Sequence, residues 1–372
     1  MPLLARPPTP RFRRRQRQRG VAVITALLLT TLAVSIVASL FWQQQVQVRS
    51  MENQRLHLQT RWILRGALDW STLVLRQDAY NSNYTALNQV WATPLAETRL
   101  DQYIERERIE GEVFDASLSG NIVDATSRYN LRNLASGTAI DRAQLEIFQR
   151  LLTNLQINPA LAKTASNLIA GSQPVLALPG AVDPKTGQEI GGTPIDLTAS
   201  GNQDQAAQGA APGADPADPT QATTLPVVRT GLGTPIKFLE VEDLLAVRGF
   251  TPEMVEKLRP YVIVLPERTP VNVNTAPAEV LAAVIPNFSL SEAQSLLARR
   301  RNVPWTDIAK FQTDISGKTP VADSISVKSD WFLVNSRIRL DRAALNAQAL
   351  VKRNSANPIG GGAVNVVWVR QD

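Results

Sequence analysis

The chain has 372 residues, a formal net charge of +6, no cysteine and a single histidine. Lacking cysteine, it has no disulfide framework and no thiolate metal site. Seven arginines (Arg6, Arg11, Arg13, Arg14, Arg15, Arg17 and Arg19) fall in the first twenty residues, which hold no acid, so the remainder carries 6 − 7 = −1. The basic balance belongs to the N-terminus, and beyond it no basic patch marks a polyanion partner.

In chain order, the first predicted element follows Gly20. Val21–Trp42 is an uncharged apolar run of 22 residues. At about 1.5 Å per helical residue it reaches roughly 33 Å, enough to cross a hydrocarbon core of about 30 Å. The run is predicted to be a transmembrane helix, longer than a signal-peptide core. The arginines hold its N-terminus in the cytoplasm and send the bulk of the chain outward, in a bacterium to the periplasm. Helical spacing of Leu56, Trp62, Ile63, Leu68 and Leu73 continues the helix through Gln43–Gln77, with Gly66 as a weak point.

Arg108–Phe114 alternates as a strand does, Asp115–Gly120 reads as a turn, and Asn121–Asp124 as the return strand. Asp141–Leu155 places Leu145, Phe148, Leu151, Leu152 and Leu155 on one helical face, and Asn158–Pro159 opens a further helix to Ile169. Ala199–Leu225 is small, polar and rich in Pro and Gly, which predicts a disordered insertion with loose flanks from Gly171 to Thr234. Val241–Arg248 reads as helix ending at Gly249, and Thr251–Pro252 caps the next. Asn272–Pro277 introduces a helix that breaks at Pro286, and Ser289–Glu292 forms a capping box for a helix ending at Arg301. Trp331–Leu340, Ala344–Val351 and Ala363–Arg370 return to strand chemistry. Helices between early and late strands predict an α+β fold, with a helical insertion in a domain built on a sheet.

Chemistry is sparse. His57 is a helix-face histidine with no evident partner, and no G-x-S-x-G, H-E-x-x-H or P-loop is present, so no enzyme activity or organic cofactor is expected. Carboxylate groups such as Glu105/Glu107 and Glu240/Glu242/Asp243 read as solvated surface. Asp183 and Glu189, spaced across Pro184 and Gly187 in one loop, suggest oxygen ligands for Ca²⁺. The helix pair joined at Pro286–Ser289 resembles a helix-hairpin-helix, whose glycines let backbone N–H groups approach phosphate. This hairpin has no glycine, and Pro286 has no N–H, so the pair reads as a structural module. Arg299–Arg301 reads as a solvated helix end. A membrane-anchored DNA-binding protein of competence type remains the alternative to the reading that follows.

Four runs carry a resemblance to the type II secretion system protein K family, the large minor pseudopilins (GspK). They are the Arg-rich leader ending at Gly20 before the apolar helix, Arg128–Leu134 (RYNLRNL), Val241–Pro252, and Pro266–Ala276 (PERTPVNVNTA) with Asn272, Asn274, Thr275 and Ala276 at its end. The resemblance implies cleavage by prepilin peptidase between Gly20 and Val21, N-methylation of Val21, and a non-enzymatic single-pass inner-membrane protein. It further implies minor pseudopilins I and J and the inner-membrane assembly platform as partners, and a place at the pseudopilus tip, where assembly for export across the outer membrane begins. Implied domains are a leader (1–20), a transmembrane helix (21–42), the extended helix with the first part of a pilin-like α/β domain (43–135), a SAM-like helical insertion (136–325, with a loop at about 179–230), and closing strands (326–372). Thr25 stands where other pseudopilins carry a glutamate able to neutralise a neighbouring N-terminal ammonium, which implies a subunit with none above it. One departure is Ser166–Ser172, which lacks the acids of the family's D-W-I-D-x-D segment.

Overall fold

The computed structural model describes residues 19–100, 115–137, 139–172, 224–225, 237–354 and 363–371. Most of the arginine leader, the expected strand Arg108–Phe114, Glu105, Glu107, Asp183, Glu189 and nearly all of the expected insertion lie outside them. The chain divides into two units, Met1–Trp62 and Ile63–Asp372.

In the first unit the described residues form a single helix, the start of α1 (Arg19–Asn81). Val21–Trp42 is exposed along its whole length, and the helix is long and apolar enough to cross a membrane. Its hydroxyls are satisfied locally: Thr25 Oγ1 donates to the Val21 and Ala22 carbonyls, both at 3.0 Å. Thr30, Thr31 and Ser35 bond back to the helix in the same way, which makes these polar groups tolerable in an apolar segment.

In the second unit the remainder of α1 runs through Gly66 without a break and ends at Asn81. Its buried face is Leu64, Ala67, Leu68, Ser71 and Leu75. The expected face differs in part, because Trp62 and Leu73 are 69% and 60% exposed. Both lie off the stripe set by 64, 68, 71 and 75, the i, i+4, i+7 positions that one helix face can bury.

That face packs on an antiparallel sheet of β1 (Leu95–Arg99), β2 (Ala116–Asp124), β10 (Trp331–Leu340), β11 (Ala343–Arg353) and β12 (Val364–Gln371), in that spatial order. Asp341, in the left-handed region with φ 50°, turns β10 into β11. The turn expected at Asp115–Gly120 is instead the first half of β2, paired to β10 from Ala116↔Leu340 through Gly120↔Ser336. Ser-Leu-Ser-Gly suits a strand here because a side chain at 120 would run into the Asn335 carbonyl. Phe332, Val334, Ile338, Ala349 and Val351 meet Trp91 and α1 on one face of the sheet. Leu333, Leu350 and Trp331 meet Ile263 and Leu265 on the other.

Between β2 and β10 the chain builds a helical part around its own apolar core. Its helices are α2 (Arg142–Asn154), α3 (Leu161–Gly171), α4 (Pro252–Leu258), α5 (Ala278–Val284), α6 (Leu290–Arg300) and α7 (Ile308–Asp314). The Asp141 carboxylate accepts from Gln144 N–H and starts α2, whose Phe148 stacks on Tyr129 at 5.9 Å. Val241–Ala246 is a 3₁₀ turn rather than an α-helix, a form short segments adopt readily. Short pairings complete this part. β3 (Tyr129–Asn130) runs parallel to β7 (Val262–Ile263), and β8 (Val271–Asn272) runs parallel to β9 (Ile325–Ser326). β4 (Ala135–Ser136) and β6 (Thr224–Leu225) flank β5 (Ala139–Asp141), so Thr224 and Leu225 are strand residues where disorder was expected.

Candidate functional site

The Asn-Val-Asn-Thr-Ala run lies between the helical part and the sheet. Asn272, Asn274, Thr275 and Ala276 are all buried, so this motif is an internal joint and not a docking surface. Asp124, at the end of β2, is its centre. Its carboxylate accepts from Thr126 N–H and Oγ1 (both 2.8 Å), Asn272 Nδ2 (2.9 Å), Thr275 Oγ1 and Ser329 Oγ (both 2.6 Å). Buried carboxylates persist only when so satisfied. Asn272 Nδ2 also donates to the Thr85 carbonyl at 3.0 Å, and its Oδ1 accepts from Asn274 N–H at 3.0 Å. Asn274 in turn clasps Trp305 in both directions, donating to its carbonyl and accepting from its N–H, each at 2.8 Å.

Arg353, 1% exposed, closes the far side of the joint. It donates to Asp78 Oδ2 at 2.7 Å, to Thr85 Oγ1 and to the Ser329 carbonyl, and its guanidinium covers the Phe332 ring at 4.8 Å. Burial outweighs this pairing at Asp78 and pushes its carboxyl above the ordinary value. The end of α1, β2, the NVNTA run and the β10–β11 hairpin thus meet in one polar network.

Arg128–Leu134 forms a second clasp. Asn130 Nδ2 donates to the Glu267 carbonyl and Thr269 Oγ1, while its Oδ1 accepts from Leu265 N–H and Arg132 N–H. Asn133 pairs with Thr269 in both directions, at 2.8 and 3.0 Å. The two most distinctive runs of the sequence are therefore bound to each other through 130, 133 and 269.

Two of the three arginines at the end of the helix pair are engaged within the chain. Arg300 is not solvated, contrary to the sequence reading: it donates to the Val273 and Ala276 carbonyls at 2.7 Å, and burial lowers its pKa to about 10. Arg299, also exposed, pairs with Asp314 at 3.0 Å, and Arg301 is exposed beside it. The nucleic-acid alternative loses the basic cluster that favoured it. His57 is exposed on α1, and among the described residues no group of His, Cys, Asp or Glu is arranged to hold a metal. Gly20 lies in the first turns of α1, with Val21 and Thr25 after it. Sequence reasoning missed Asp124, Ser329, Thr85 and Arg353, because nothing local distinguishes a buried Asp or Ser from a solvated one.

Fold and joint together define an α+β protein with a long apolar N-terminal helix and a helical part set between the strands of an antiparallel sheet. Two family models, both described as type II secretion system protein K, match residues 194–267 and 271–328. The type II secretion system protein K of Pseudomonas aeruginosa is 26% identical over 337 residues, 88% of this chain and 86% of the relative. That of Pectobacterium carotovorum subsp. carotovorum is 24% identical, covering 91% of this chain and 93% of the relative. A chain from the crystal structure of the GspK-GspI-GspJ complex of the enterotoxigenic Escherichia coli Type 2 Secretion System has the same fold. Its TM-score is 0.59 at 18% identity, over 87% of this chain and 99% of that one. Over most of its length the chain is similar to proteins described as type II secretion system protein K.

Proposed function

We propose that this chain is a minor pseudopilin of a bacterial type II secretion system. It is anchored by Val21–Trp42 in the inner membrane, with its bulk in the periplasm, and cleaved between Gly20 and Val21 with methylation of the new N-terminus. It joins minor pseudopilins I and J at the pseudopilus tip, where it helps initiate assembly for export across the outer membrane. The observation that carries this is similarity over most of the chain to proteins all described as type II secretion system protein K. The likeness in fold to a chain of a GspK-GspI-GspJ complex favours I and J as partners. The tip assignment rests on Thr25. A glutamate there would need a neighbouring ammonium in an apolar bundle, because an unpaired buried charge is costly. Threonine satisfies itself on its own helix.

N-terminal mass mapping from cells with and without prepilin peptidase tests the proposal. The Met1–Gly20 segment should be absent only when the peptidase is present, and Gly20→Ala should retain it in both. A retained segment in both backgrounds for the unmodified chain sinks the reading. Thr25→Glu, which gains no partner at a tip, should leave secretion no better than the parent.

A further inference from the structure

A cleft of about 610 Å³ opens between the second face of the sheet and the 3₁₀ turn that begins at Val241. Its volume falls in the range of ligand sites, about 300–1,000 Å³. Its floor has the register of the sheet: Asn121, Asn335 and Gln348 sit side by side on β2, β10 and β11. Asn335 Nδ2 donates to Asn121 Oδ1 at 3.2 Å, and Gln348 Nε2 donates to Asn335 Oδ1 at 2.9 Å. This ladder leaves the Asn121 amide as donor at one end and the Gln348 carbonyl as acceptor at the other. Leu333, Leu350 and Trp368 give the floor an apolar stretch.

The charges do not balance. Four arginines (128, 259, 337 and 370) and two glutamates line the cleft. Both glutamates are taken, Glu242 by Arg259 at 2.7 Å and Glu240 by Arg370 at 2.8 Å. Among the described residues neither the Arg128 nor the Arg337 side chain has an ion-pair partner. Arg128 is half-buried, and desolvation lowers its pKa with no carboxylate to oppose the shift. A partly desolvated guanidinium without an acceptor is stabilised when a carboxylate supplies paired oxygens.

We propose that this cleft binds an extended peptide segment of a partner protein, with an acidic side chain of that segment held by Arg128 and a second contact at Arg337. Free amide donor and acceptor ends match a peptide backbone, and the apolar stretch suits an intervening side chain. A nucleic acid fits less well. Tight backbone binding draws on about 6–10 phosphate contacts, whereas two unpaired cations are present and two glutamates share the lining.

The test uses the full chain in non-ionic detergent and fluorescence anisotropy of a short labelled peptide alternating Asp or Glu with Ala or Val. A second peptide replaces each acid by its amide. The acidic peptide should bind roughly tenfold more tightly than the amide peptide and weaken with salt. Arg128→Gln should lose most of that difference and Arg337→Gln part of it, whereas Arg301→Gln, at the exposed C-terminal cap of α6, should lose none. If Arg128→Gln alters the circular dichroism, Arg337→Gln, at an exposed strand position, decides alone. Equal binding of the two peptides, or of parent and Arg337→Gln, overturns the proposal. So does displacement of the peptide by acetate or inorganic phosphate with a loss of their own binding in Arg128→Gln, which would make the cleft a small-anion site. Tighter binding of a DNA oligonucleotide with the same arginine dependence also overturns it.

Discussion

Asp124 accepts five hydrogen bonds at the end of β2, and three of them come from outside its own segment, from Asn272, Thr275 and Ser329. Each donor belongs to a stretch distant in sequence, so the carboxylate acts as a common acceptor that holds those stretches in register. Asn272→Ala would strip a donor from Asp124 and the Thr85 carbonyl and leave the Asn274 N–H without its acceptor. Buried groups left unpaired cost about 1–3 kcal/mol each, so a loss of about 2–4 kcal/mol is expected in urea denaturation. Asn272→Asp should be worse, since it places a second carboxylate 2.9 Å from the first. Arg353→Met tests the other side of the joint. It removes the partner of Asp78, and breaking a buried pair in this way costs about 3–5 kcal/mol.

At the level of elements, the helical part relies on capped short helices rather than long ones. α4 spans Pro252–Leu258, with the Thr251 hydroxyl accepting from Met254 N–H and Pro at the first position. Just before it Gly249 adopts φ +104°, and a side chain there would meet Leu161 Cδ2 at 2.7 Å. Thr251→Ala should cost about 1 kcal/mol through the cap. Gly249→Ala should cost about 1–3 kcal/mol through backbone strain, read as a shift in denaturation midpoint. α6 adds a pH dependence. Lys318 first, then Ser289, hydrogen-bond the Glu292 carboxylate and lower its pKa from 4.5 to about 2. The folded state therefore binds this proton less readily than the unfolded chain. The contribution of Glu292 is present above pH 4.5 and is lost as pH falls toward 2. Glu292→Gln should flatten the fall of the denaturation midpoint across that window, and a profile identical to the parent would refute the assignment.

For the whole molecule, the sheet is assembled from distant parts of the chain. β2 lies before the helical part, whereas β10, β11 and β12 lie after it, with β10 paired to β2 over nine positions from Phe332↔Asp124 to Leu340↔Ala116. A chain ending at Ser326 would retain every helix but leave β2 with β1 alone. It should expose the apolar face that Phe332, Val334 and Ile338 cover, and a sharp gain in protease sensitivity relative to the full chain is the expected readout. Much of the architecture was readable one residue after another. The apolar length of Val21–Trp42, the 3.6-residue period of α2, the caps at Thr251 and Ser289 and the alternating closing strands are local patterns with local causes. The RYNLRNL and PERTPVNVNTA runs were also visible as motifs. Their role was not, because a hydrogen bond from Asn133 to Thr269 or from Ser329 to Asp124 joins residues 136 and 205 positions apart. Polar side chains look alike in sequence whether they face water or one another. Folding alone separates Arg301, left in solvent, from Arg300, turned onto the Val273 and Ala276 carbonyls one residue earlier.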